Sequence, residues 1–307
     1  MATDKMEQTL LEEIADLHGV PEGAYNIRRN GESAGRRSTE HIEIVTKTDR
    51  PGIDIHIKPG TKNESVHIPV LLTETGLKEL VYNDFFVGEG ADVTIVAGCG
   101  IHNDGSAKSE HSGVHTFYLG KNARVRYVEK HYGEGEGTGE RVMNPKTVVY
   151  LDEGASCRME MTQIRGVDST ARTTRCVGKA GSELIITEKL LTHGKQSAES
   201  KVEVLLNGPG ARAQITSRSV AQDESVQVFY PRLEGNAACF GHVQCDSIIM
   251  DAARVRSIPE ISANCVDAQL IHEAAIGKIA GDQLLKLMTL GLTEEEAEQE
   301  ILNGFLK

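Results

Sequence analysis

A chain of 307 residues with a formal charge of −12 can bury a substantial core. Its acidity argues against nucleic acid as the main partner, because phosphate binding needs a basic footprint. Six scattered cysteines, none in a CxxC pair, give no support to a disulfide scaffold, a zinc ribbon or a thioredoxin-type centre.

Leu10, Leu11, Ile14 and Leu17 recur at helical spacing and Gly19 suits a C-cap, so residues 3–18 read as a helix. Met1 to Glu13 is polar and acidic, without the apolar segment of a signal peptide. No apolar run approaches the roughly 18 residues of a membrane span. The expectation is a cytoplasmic protein with free thiols and no membrane contact. Residues 20–40 read as polar and irregular.

From about residue 41 the texture becomes β-rich. His41–Val45 and Gly52–Ile57 alternate as strands do. A weak motif then recurs, with an apolar run, a turn containing Gly or Asn, a small residue, and alternating apolar residues. Its clearest copies are Phe86–Val93, Tyr118–Val125 and Tyr150–Cys157, which place Gly90, Asn122 and Gly154 32 residues apart. Looser, closer copies fall at Val177–Leu184, Leu206–Ala213, Leu233–Cys239 and Met250–Val255. Short strands at such a period, with no helices between them, predict a mainly β protein built as a parallel β-helix or related β-solenoid. A turn-rich β-sandwich is the alternative. Gly and Asn at the same place in each copy suit a corner residue with positive φ.

The C-terminus turns helical. Asp282–Leu290 is apolar on one side (Leu284, Leu285, Leu287, Met288) and stops at Gly291. Thr293 and Glu296 form a capping box, with three acidic residues in the first turn that suit the helix dipole. The second helix is expected to run to about Leu302 and to end at Asn303-Gly304. The predicted organisation is a helical and irregular segment (1–40), a β-helix core (41–265) and a helical docking segment (266–307). The final αα-hairpin would cap the solenoid or serve as a docking arm.

Cys245, His272 and Glu273 are the sharpest candidates for chemistry. Cys245 and His272 are about one rung apart, so a thiol and an imidazole or carboxylate would share one surface, and such ligands suit iron and iron–sulfur species. Cysteine in an alternating strand is also a common small core residue, and this reading is stronger for Cys176. Cys99 sits between two glycines, where backbone could approach an ion closely. His102, His111 and His115 read as part of a solvated loop between rungs, with an iron or zinc site as the alternative. Gly133–Gly137 is acidic and lacks the Lys-Ser/Thr of a phosphate loop. No Walker motif, GxSxG or HExxH is present, so no conventional enzymatic turnover is expected. A β-helix carbohydrate enzyme is disfavoured by the absence of Trp and of paired carboxylates.

Residues 241–307 carry a more specific signal: Gln244-Cys245-Asp246-Ser247, Ser257-Ile258-Pro259-Glu260-Ile261, His272-Glu273-Ala274, and Asp282-Gln283-Leu284 through Gly291-Leu292-Thr293-Glu294-Glu295-Glu296-Ala297 to Asn303-Gly304-Phe305. This order resembles the C-terminal core of the SufB/SufD family of iron–sulfur cluster assembly scaffolds, and the texture agrees from about residue 75. The resemblance implies a right-handed parallel β-helix with helical ends. It implies that Cys245 is the cluster-assembly cysteine, Glu273 its partner carboxylate, His272 the histidine position used in SufD, and Cys176 the second SufB cysteine, involved in sulfur delivery. It further implies a transient iron–sulfur cluster as cofactor, and a SufC-like ABC ATPase docked on the C-terminal helices, with a sulfur donor and apo acceptor proteins as further partners. Cys245 together with Glu273 favours a SufB-like over a SufD-like structural subunit, the alternative reading. The chain is shorter than a typical SufB, lacks the Cys-rich N-terminal motif of many of them, and reads Met250–Val255 where a Gly-rich, His-bearing turn is common. The expectation is a minimal system in which one chain fills both halves of the SufB–SufD pair as a homodimer.

Overall fold

The computed structural model describes residues 5–307. It is a β-solenoid of about eight turns with helices at both ends. Two walls of strands run along it. The first is a 10-stranded sheet that opens with the hairpin Ala24–Arg29/Glu32–Arg37 and passes through Asp92–His102, Arg124–Glu134, Ser156–Arg165 and Phe240–Ile249 to its terminal strand, Gln269–Gly277. The second is an 11-stranded sheet containing Lys78–Val87, Ser109–Leu119, Ser169–Gly178 and Val226–Gly235. Strands stack in parallel from rung to rung, and only the opening pairs (Ala24–Arg29 with Glu32–Arg37, Ile42–Thr46 with Gly52–Ile57) are antiparallel.

The repeat marks one corner of the coil. Gly90, Asn122, Gly154, Gly181 and Gly210 all adopt positive φ, between 55° and 72°. Each donates its N–H to a carbonyl of the next rung: Gly90 to Lys121 (2.8 Å), Asn122 to Glu153 (3.0 Å), Gly154 to Ala180 (2.9 Å). The corner therefore needs a residue at home in the left-handed region and satisfies the backbone donor that a sharp bend exposes. Asp251, in the last of the looser copies, belongs to a different corner with Gly194 and Asp223, all at positive φ. In the acidic glycine loop, a Cβ on Gly135, Gly137 or Gly139 would meet backbone of Asn103–Ala107. These glycines permit loop-on-loop stacking.

Alternation fills the interior. Every second residue of each strand points inward, giving one continuous core from Ala24 to Cys245. Phe85 and Phe117 stack there at 4.4 Å between ring centres, with Tyr127 edge-on to Phe117. Outside, His56, Phe86, Tyr118 and Tyr150 form a second ladder at 4.8–5.3 Å.

The ends differ from expectation in detail. Helix α1 (Lys5–Ala15) ends before residue 18, and residues 3 and 4 of the expected helix lie outside the described residues. Residues 20–40 are not irregular, because Asn30-Gly31, both at positive φ, turn them into the opening hairpin, whose first strand pairs with Lys62–Leu72. The sheet also reaches past residue 265, since Gln269–Gly277 pairs in register with Phe240–Ile249. Helix α2 spans Gly281–Met288 and α3 spans Glu294–Phe305. Thr293 and Glu296 form the predicted capping box, but α3 continues through Asn303-Gly304 and packs Leu302. One exposed glycine costs a helix only about 1 kcal/mol, too little to stop it.

Gly98 and Gly100 lie on the outer side of Asp92–His102, directly beneath α1. A Cβ on Gly98 would collide with the carbonyl oxygen of Ile14. Gly98→Ala should lift α1 off the sheet at a cost of about 1–3 kcal/mol. Hydrogen exchange should then accelerate in Lys5–Ala15 while amides of rungs 183–249 stay protected.

Candidate functional site

Along Phe240–Ile249 the side chains of Val243, Cys245 and Ser247 face the interior, while His242, Gln244 and Asp246 face outward. The neighbouring strand pairs Val243 with His272, Gln244 with Glu273 and Cys245 with Ala274. Parity decides what meets. His272 shares the inner face with Cys245, and its Nε2 lies 3.6 Å from the Cys245 Sγ. Glu273 lies on the outer face, its Oε2 3.4 Å from His242 Nε2. The final rung thus brings Cys245 and His272 together and sets Glu273 on the other side of the sheet.

Burial pushes the Cys245 thiol up to about 11, against the opposing influence of the Ser257 hydroxyl. Burial, then the neighbouring His242, lowers the His272 imidazole, which favours the neutral form that ligates metals. A protonated thiol beside a neutral imidazole is a resting pair. A metal cation, were one to bind here, would have to displace the thiol proton to gain the thiolate as a ligand. Beside Cys245 is a cavity of about 30 Å³ lined in part by Ser200, Ser217, Ser219 and Ser257, room for about one water-sized occupant. Among the described residues no group of three or more His, Cys, Asp or Glu is arranged to hold a metal ion.

Cys176 lies in the second wall, paired in register with Val149 and Val204 and 1% exposed. Burial, then the adjacent Cys157 thiol, pushes it well above the usual thiol range, and burial alone takes Cys157 to about 12. Both are inert core thiols by this criterion.

Cys99 has the opposite surroundings. It pairs in register with His131 and lies against the imidazoles of His111 and His131. Burial pushes its thiol up, but the two imidazoles, His111 first, outweigh burial and bring it down to about 7. Burial lowers His111, but the Cys99 thiolate and the Glu79 carboxylate, 3.0 Å from His111 Nδ1, outweigh it and raise the imidazole to about 10. Arg28 pairs with the same Glu79. The surroundings of Cys99 thus favour a thiolate beside a protonated His111.

The three-histidine loop expected between residues 102 and 115 is therefore corrected. Only His102 lies at its edge, bonded to Asp104 (2.8 Å) and Glu134 (3.1 Å). His111 and His115 belong to Ser109–Leu119 and point inward. Burial drives His115 down to about 4. The Asn83 amide lies 3.3 Å from its Nε2 and the Tyr127 hydroxyl 2.8 Å from its Nδ1. The signal was present in the alternation of Ser109, His111, Gly113, His115 and Phe117, whose period of two is that of a strand.

From Cys99 a line of buried polar groups runs along the interior. His131 Nε2 is 3.5 Å from Glu129, Glu129 pairs with Arg172, Arg172 Nε is 3.8 Å from Glu188, and Ser200 donates to Glu188 at 2.8 Å. Glu188 and Ser200 also line the small cavity at Cys245. The lane therefore joins the surroundings of the two thiols.

The fold and the site define a β-solenoid protein that ends in an αα-hairpin and carries a thiol–imidazole pair in its last rung. The chain belongs to the SufBD family: the model of the SufBD core domain of the SUF system of FeS cluster assembly matches residues 82–305. Among curated proteins it is similar to an iron-sulfur cluster assembly SufBD family protein of Methanothermobacter thermautotrophicus, 27% identical over 83% of this chain and 62% of the relative. A second from Methanocaldococcus jannaschii is 29% identical over 82% and 79%. A third from Archaeoglobus fulgidus is 26% identical over 87% and 71%. The chain thus spans between about three-fifths and four-fifths of the length of these relatives. No helix among the described residues is long and apolar enough to cross a membrane.

The Cys99 pair makes a spectroscopic prediction. Thiolate absorbance near 240 nm, taken as the difference between wild type and Cys99→Ser, should appear with a midpoint near pH 7. His111→Gln should move that midpoint upward, towards the usual thiol range.

Proposed function

We propose that this protein is a SufB-like scaffold subunit that holds a nascent iron–sulfur cluster as cargo at its C-terminal rung. The observation that carries this reading is the 3.6 Å approach of the Cys245 thiol to His272. A carrier must release what it holds, and one thiolate with one imidazole binds more weakly than the four thiolates of a resident cluster. His242 and Glu273 offer a second donor pair on the outer face of the same rung. Because one copy supplies so few inward donors, the reading includes a second copy joined at this end as a homodimer. Gln269–Gly277 is the terminal strand of its sheet, and Ile271 and Ile276 on it are exposed, which suits such a junction.

Cys99 fits the role of the sulfur-accepting thiol better than Cys176 does. The thiolate is the nucleophile, and the Cys99 site stabilises it whereas the Cys176 site opposes it. The polar lane from His131 to Glu188 then lies along the route between donor-side and cluster-side thiols. A SufC-like ABC ATPase would dock on α2, α3 and the turn between them, where Leu285 and Leu290 are 60% and 75% exposed. A sulfur donor and apo acceptor proteins complete the set of partners. The second reading, a SufD-like structural subunit without its own cluster, is favoured by the burial and high pKa of Cys245.

Anaerobic reconstitution with iron and sulfide separates the two. Cluster content by absorbance and Mössbauer spectroscopy should fall at least severalfold in Cys245→Ser and His272→Ala and less in Glu273→Ala. Equal content in all variants would place the cluster elsewhere, and none in wild type would favour the structural subunit. For docking, Leu285→Asp with Leu290→Asp should abolish co-purification with the cognate ATPase. Light scattering of the wild-type complex should give two copies of each chain, and a 1:1 complex would count against the homodimer.

A further inference from the structure

We infer that the cavity between α1 and the opening hairpin is a binding site for a small apolar molecule carrying one uncharged hydrogen-bond acceptor, the chemistry of a ketone or ester. The site is separate from both thiols' surroundings and independent of the iron–sulfur reading.

The cavity has a volume of about 330 Å³, within the range of small-molecule sites. Its walls are mainly apolar: Leu11 and Leu17 on the α1 side, Tyr25 and Ile27 on the hairpin, and Leu71 on the next strand. Its existence follows from the backbone. Tyr25, Ile27 and Arg29 share the outer face of their strand by alternation. The residue paired with Ile27 is Gly35, which contributes no side chain to the hairpin's share of the wall. Meanwhile α1 is seated on the neighbouring strand, where Gly98 and Gly100 let Ile14 and Leu10 approach the sheet. The helix is held over that strand, and the hairpin beside it is left uncovered.

Arg29 defines the polar requirement. It lines the cavity, and its Nη2 is paired with the Glu7 carboxylate of α1. Its Nε–H is buried with no acceptor. A buried donor without a partner is costly and uncommon in native proteins. A water molecule needs two to four polar partners, and beside Arg29 the lining offers only the polar side chains of Gln8, His18 and Tyr25 among its described residues. Because Glu7 already offsets the guanidinium charge, a second anion would face a buried carboxylate. A neutral carbonyl oxygen meets the free N–H without that repulsion, and an apolar body fills the space between helix and hairpin.

The test is ligand-observed saturation-transfer NMR on the full chain, with 2-heptanone as the neutral probe and heptanoate as its anionic counterpart. The ketone should bind at least tenfold more tightly than the carboxylate. Arg29→Met, which keeps the apolar stem and removes the donor, should weaken the ketone at least fivefold. Ile27→Trp and Leu11→Trp, which fill the cavity from opposite sides, should each abolish its signal. Two filling variants, checked by thermal melting, separate occlusion from misfolding. No transfer to wild type, or transfer unchanged by either folded filling variant, would overturn the site. Tighter binding of heptanoate, or an unchanged affinity in Arg29→Met, would overturn the acceptor chemistry.

Discussion

The rest of the molecule depends on the corner at which the chain leaves one rung for the next. A parallel coil has no hairpin to set its register, so each rung must bend sharply and still satisfy the backbone groups exposed by the bend. Here one residue per rung enters the left-handed region and donates its N–H to the rung above. Glycine and asparagine reach that region at low cost, whereas branched residues do not. Once the corner is set, alternation sends the same face of each strand inward on every rung, and the core assembles as ladders of like side chains.

Those ladders divide the interior into chemically distinct stretches. Phe85, Phe117 and Tyr127 pack through aromatic contacts, and a line of ionisable groups from Glu79 to Glu188 runs beside them. A buried charge is tolerated only when paired, and each one here is. Glu129, held well below the usual carboxylate range by Arg172 and then His131 despite its burial, faces an Arg172 that also reaches Glu188. Such a network contributes less to stability than an apolar core of the same volume would. It lies between the two thiol environments.

The two thiol environments have opposite electrostatics. Cys99 is stabilised as a thiolate by two imidazoles. Between about pH 7 and 9 its ion pair with His111 holds as many protons as the thiol and neutral imidazole of the unfolded chain, so the pair adds no pH slope to stability there. Within it the two opposing contributions cancel: the depressed thiol loses its stabilisation as pH falls from the usual thiol range to about 7, and the raised imidazole loses its own as pH rises from the usual imidazole range to about 10. Cys245 instead is raised to about 11 by burial, which favours the protonated thiol. The two sites thus differ in which protonation state of the thiol their surroundings favour.

The periodic features were legible in the chain itself. The 32-residue spacing of Gly90, Asn122 and Gly154 specified the solenoid, and Thr293 with Glu296 specified the start of α3, because corners and caps are local conformational requirements. The family resemblance singled out Cys245 and His272, which meet. What sequence spacing does not encode is parity across a register. Glu273 is adjacent to His272 in the chain, yet a strand sends consecutive side chains to opposite faces, so only the pairing of Val243 with His272 decided which of the two meets the thiol. The Cys99 pair was hidden for a related reason. Cys99 and His111 lie on different walls, and His131 is a full rung from Cys99, so only closure of the coil places two imidazoles against that thiol and lowers its pKa.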